Sequence, residues 1–142
     1  MRRLWWEFVL CSALLACNGV EPQTLGIGET PVQVTRTLGR PDRRQVSLGL
    51  VFWDYERRGL TLLWDENERI VRAVVLMKSS AGAVEGIAVG DSVAAMATRW
   101  GDPARIRQEG RYLDFVRPRW VQTAEVRGGR IVEITVLMKD TP

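Results

Sequence analysis

The chain has 142 residues, 46% of them hydrophobic and 26% charged, which suits one compact body with a sizeable core. A net charge of +3, with the basic residues scattered singly, excludes an electrostatic claim on nucleic acid. Histidine is absent and the only cysteines are Cys11 and Cys17, so beyond residue 17 there is no material for a zinc site, a Ser-His-Asp triad or a Cys–His dyad.

The first residues read as a targeting segment. Arg2 and Arg3 form a basic start, and Phe8 to Ala16 is an apolar run too short to span a membrane. It ends Leu14-Leu15-Ala16-Cys17, which resembles a bacterial lipoprotein signal. That resemblance implies a signal peptide over 1–16, cleavage before Cys17, and a diacylglycerol on the Cys17 thiol. An ordinary secretory signal and a retained anchor are the other readings. Asn18 stands where enteric lipoproteins that stay in the inner membrane carry Asp, so the resemblance points to the outer membrane, facing the periplasm. Residues 17–24 read as a polar tether with Gly19 and Pro22.

A first unit is expected over 25–78. Thr30 caps a helix that Pro31 opens, Val34 and Leu38 give it an apolar face, and Gly39 with Pro41 ends it. Arg43 to Tyr55 alternates as one long strand or two short ones broken at Gly49. A turn at Arg57–Gly59 leads to a strand over 60–65, and the turn Glu66–Glu68 leads to Arg69–Lys78. Residues 79–86 form a small-residue linker. A second unit over 87–139 repeats the order: Ser92 as cap, a face of Val93, Met96, Ala97 and Trp100, the stop Gly101-Asp102-Pro103, then strands ending in Arg130–Lys139.

The two closing stretches, RIVRAVVLMK and RIVEITVLMK, are identical at seven of ten positions. This predicts a duplication in which the two stretches are equivalent strands. The expected fold is α+β: two tandem units, each a short helix plus antiparallel strands, with adjoining sheets and the helices on one face.

The motifs Gly28-x-Thr30, Leu38-Gly39-x-Pro41, Trp53, Tyr55 and Gly59-Leu60 recur as Gly90-x-Ser92, Trp100-Gly101-x-Pro103, Leu113 and Phe115. Together they resemble the SmpA/OmlA group of outer-membrane lipoproteins and the tandem units of β-lactamase-inhibitor protein. The resemblance implies a role in binding other proteins, as an assembly accessory or as an enzyme inhibitor.

Candidate site residues follow from alternation. Trp53, Tyr55, Leu113 and Phe115 should face the helices, which turns Phe52, Asp54, Tyr112 and Asp114 to the other side. An aromatic beside an acid, presented twice, makes these four the expected partner-binding residues. Core packing under a loop is the alternative. Asp54 and Asp114 could instead serve as paired acids of a carboxylate hydrolase. The cluster Asp65-Glu66-Glu68 lacks the spacing of a calcium loop and reads as a solvated turn. No metal and no cofactor are expected. The expected partners are a membrane, through the N-terminal lipid, and another envelope protein.

Overall fold

A computed structural model describes residues 26–140, so the signal peptide, Cys17 and the tether lie outside the described residues. Helix α1 (Pro31–Leu38) is followed by β1 (Arg43–Ser47), β2 (Leu50–Tyr55), β3 (Leu60–Trp64) and β4 (Val71–Leu76). A small hairpin comes next, β5 (Ala83–Val84) and β6 (Ile87–Ala88), then helix α2 (Val93–Trp100). The chain closes with β7 (Arg105–Arg107), β8 (Tyr112–Val116), β9 (Trp120–Arg127) and β10 (Arg130–Met138).

Eight strands join in one antiparallel sheet in the order β1-β2-β3-β4-β10-β9-β8-β7. This corrects the expected fold class. The chain is not two tandem units with adjoining sheets. It is one large sheet with only two helices among the described residues. The physical reason lies at the centre: β4 and β10 pair directly, Leu76 opposite Ile134 and Ala73 opposite Leu137. Had either half closed on itself, it would have left a long apolar edge with unpaired amides. The core is likewise continuous. Val34, Trp53, Leu62, Trp64, Met96, Trp100, Phe115 and Ile134 belong to one buried cluster that spans both halves.

The signature strands are corrected too. Identity would place Val71 on Val132, yet Val71 accepts from the Gly28 amide at 2.9 Å and Ile131 from the Gly90 amide at 2.8 Å. Val71 and Ile131 also donate to Glu29 and Asp91, both at 3.0 Å. The structural match is therefore one residue out of step with the sequence match. Leu76 is fully buried while Leu137, its identical counterpart in sequence, is 49% exposed. A one-residue slip exchanges the two faces of a strand, and the pattern of identities cannot report it.

Local signals formed the elements as expected. Thr30 and Ser92 cap α1 and α2 by accepting from the Gln33 and Ala95 amides, and Gln33 completes a capping box. Each helix has only eight residues and holds its place by packing: Val34 from α1, and Met96 and Trp100 from α2. The Trp100 ring meets Phe115 edge-on at 5.1 Å. The Tyr55 hydroxyl donates to the Gly39 carbonyl at 3.0 Å, tying the end of α1 to the sheet, and burial pushes its pKa up to about 12.

The expected linker does more than connect. Ala81 and Val84 are buried in the core, as is Ile87 just past the linker, and the Trp100 indole donates to the Val84 carbonyl. At its tip Glu85 has φ +45°, an unusual backbone for a side chain of this kind. Its carboxylate receives Arg117 at 2.7 and 2.8 Å and Gln122 at 3.1 Å.

Candidate functional site

Both helices and the 79–88 segment pack on the face that carries Trp53, Leu62, Ile134 and Phe115. Pleating turns Phe52, Asp54, Tyr112 and Asp114 to the opposite, helix-free face. All four sequence candidates thus share a face, but they do not form one constellation.

One row on this face crosses the whole sheet. Registers align Arg43, Asp54, Thr61, Val75, Thr135, Thr123, Asp114 and Arg105. Asp54 accepts from Arg43 at 3.1 Å, Gln45 at 2.9 Å and Thr61 at 2.9 Å. Asp114 accepts twice from Arg107, both at 2.9 Å, and from Thr123 at 2.8 Å. Those contacts, the Arg107 hydrogen bond foremost, hold the Asp114 carboxyl below the usual carboxylate range. Each aspartate is therefore occupied by its own neighbours and organises its hairpin. Five strand intervals separate the two, about 24 Å at ~4.8 Å each. Paired-acid hydrolysis needs carboxyls within about 10 Å, so this pair cannot perform it.

A second row is apolar: Phe52, Leu63, Ala73, Leu137, Val121 and Val116. Leu137 and Val116 are each 49% exposed, and Phe52 is half-buried. Sequence reading found Phe52 alone, because the two halves of the row, Phe52–Leu63–Ala73 and Leu137–Val121–Val116, join only through the β4–β10 pairing. Alternation in each strand was the available signal, and it lacked the strand order.

Past the polar row the face changes character. Tyr112 lies between Arg107 and Arg111, whose guanidinium carbons stand 5.3 and 5.4 Å from its ring centre. Glu125 accepts from Arg111 and Arg127 and is held below the usual range, chiefly by Arg111. Tyr112, Glu125, Glu133 and Thr135 help line a concavity of about 190 Å³. Among the described residues no group of His, Cys, Asp and Glu could hold a metal ion, and no helix is long and apolar enough to cross a membrane.

No family model matches the sequence, and no curated protein matches it. The fold itself is found in solved structures. A cysteine-rich secretory protein from Staphylococcus aureus superposes with a TM-score of 0.62 at 12% identity, over 84% of this chain and 47% of that one. An extracellular protein containing an SCP domain from Bacillus anthracis gives a TM-score of 0.56 at 11% identity, over 84% of this chain and 46% of that one. This chain spans about half the length of either. The findings correct the resemblance to the SmpA/OmlA group and to β-lactamase-inhibitor protein, since the structural neighbours are an SCP-domain-containing extracellular protein and a cysteine-rich secretory protein. The motifs behind that resemblance are helix caps, helix stops and turn glycines. Such motifs report local geometry, which unrelated chains share.

Proposed function

We propose that this chain is an envelope or secreted protein that is tethered through lipid on Cys17 and works by binding another protein, without catalysis. The extracellular neighbours and the lipoprotein-like N-terminus support the location. The apolar row on the helix-free face carries the binding reading. A stripe from Phe52 to Val116, about 24 Å long at ~4.8 Å per strand, runs beside a row of self-satisfied polar groups; its Leu137–Val121–Val116 end is the more open, and only Ala73 among the six is buried. Exposed apolar stripes of this kind mark interaction surfaces. The polar row is already hydrogen-bonded, so covering it leaves no carboxylate stranded.

Photo-crosslinking in the producing cell tests the reading. A crosslinking residue at Leu137 should capture a discrete partner, and one at Arg36 on the exposed side of α1 should not. Val121→Asp, beside Leu137 in the stripe, should abolish the adduct while the fold persists. Equal capture from both positions, or none from either, would overturn the reading.

A further inference from the structure

We propose that the tip of the β1–β2 hairpin, formed by Val46, Leu48 and Leu50, inserts into the surface of a lipid bilayer and sets how the sheet stands on the membrane. The inference extends the envelope reading, on which it rests for a membrane nearby and for the Cys17 anchor that sets which end of the sheet meets it.

The tip is doubly unfavourable as a piece of a soluble fold. Ser47 pairs with Leu50, which leaves a two-residue loop of Leu48 and Gly49 at φ +52° and +77°. Such a loop needs left-handed backbone at both positions, for which Asn-Gly is the usual choice. Leucine there is strained, and its side chain is 99% exposed. Val46 is 60% exposed and Leu50 38%.

The molecule supplies its own control. The hairpin β7–β8 occupies the corresponding place at the far edge of the sheet. Its tip reads Gln108-Glu109-Gly110-Arg111, also with positive φ at Gln108, Glu109 and Gly110. A polar tip therefore closes the edge hairpin on the far side, through a four-residue loop, and left-handed turn backbone does not by itself demand an apolar side chain.

Position identifies the occupant. Phe52 pairs with Leu63, Trp64 pairs with Val71, and Val71 bridges Ile27. The tip thus lies at the end of the sheet where residues 1–25 join the described body. Ile27 is about three strands over from β1–β2, some 14 Å at ~4.8 Å per strand. A tether over 17–24 reaches at most about 27 Å. A lipid on Cys17 would bring this end of the sheet against the bilayer. Charge at the neighbouring turn is slightly negative: Asp65, Glu66 and Glu68 stand against Arg69 and Arg44, the last paired with Glu68. Insertion is therefore driven by apolar contact and does not depend on anionic headgroups.

The test uses the chain as processed in a two-membrane bacterial host, with the N-terminal peptide weighed to read acylation. Lipidated protein is reconstituted into phosphatidylethanolamine vesicles with or without phosphatidylglycerol. A polarity-sensitive dye is attached at Leu48→Cys or, as control, at Glu109→Cys. The dye at 48 should be blue-shifted and about fivefold less quenched by aqueous iodide than the dye at 109, equally in both vesicle types. Equal quenching at the two positions, or protection at 48 only when an envelope protein is added, overturns the proposal. If the peptide carries no lipid, the anchor alone is lost, and co-sedimentation of unlabelled protein decides. Leu48→Asn, which suits the left-handed turn and should not lower the melting temperature, should then reduce vesicle binding about tenfold. A variant that binds like the parent, or a parent that does not bind, overturns the tip.

Discussion

Glu85 shows how a strained residue is retained. Its left-handed backbone is offset by a carboxylate that gathers Arg117 and Gln122, with Gln122 in turn accepting from the Trp120 indole at 2.9 Å. The Arg117 hydrogen bond is the main reason the Glu85 carboxyl is held below the usual carboxylate range. Because the folded pKa is lower than the unfolded value near 4.3, this stabilisation is complete above that value. It is lost as pH falls through the folded pKa. Glu85→Gln should cost about 2 kcal/mol at neutral pH. The gap between parent and variant should begin to close below about pH 4, as read by denaturant melts across pH. A gap independent of pH would mean that the carboxylate charge plays no part. Gly59 is a second residue with no substitute. At φ +65° its added Cβ would stand 2.5 to 2.6 Å from the Lys78 side chain. Gly59→Ala should destabilise by about 2 kcal/mol or more, through backbone and overlap together.

At the scale of the element, the two signature strands offer a direct test of register. Leu76 and Leu137 hold the same place in nearly identical sequences, one buried and the other half-exposed. Leu76→Ala should cost about 2–5 kcal/mol, whereas Leu137→Ala should change stability by less than about 1 kcal/mol. Equal losses in thermal or denaturant unfolding would restore the register that sequence identity implies. The caps were legible in the sequence because they rest on contacts within three residues: Thr30 with Gln33, Ser92 with Ala95. The hairpin at Leu48-Gly49 was half legible. Gly49 marked the break, but the exposure of Leu48 could not be read without knowing that the tip protrudes.

At the scale of the whole molecule, one sheet and one core predict one transition. Calorimetric and van't Hoff enthalpies of unfolding should agree. A fragment ending at Gly82 should fail to fold alone, since it would expose β4 along its full length. Two separate transitions, or a folded half, would return the molecule to two independent units. The helix-free face also exists only at this scale. Its apolar row draws Phe52, Leu63 and Ala73 from one half and Leu137, Val121 and Val116 from the other.

The sequence by itself determined what short-range chemistry determines: two capped helices, the turns, and an alternation that put Trp53, Tyr55 and Phe115 in the core and Phe52 and Asp54 opposite. Only the tertiary structure decided that β4 and β10 pair, that identical residues fall on opposite faces, and that the candidate aspartates stand too far apart to cooperate. The reason is that strand order and register are set by contacts between residues remote in sequence. Local propensity carries no information about them, and an amide edge at β4 is satisfied only by the partner that the rest of the fold delivers.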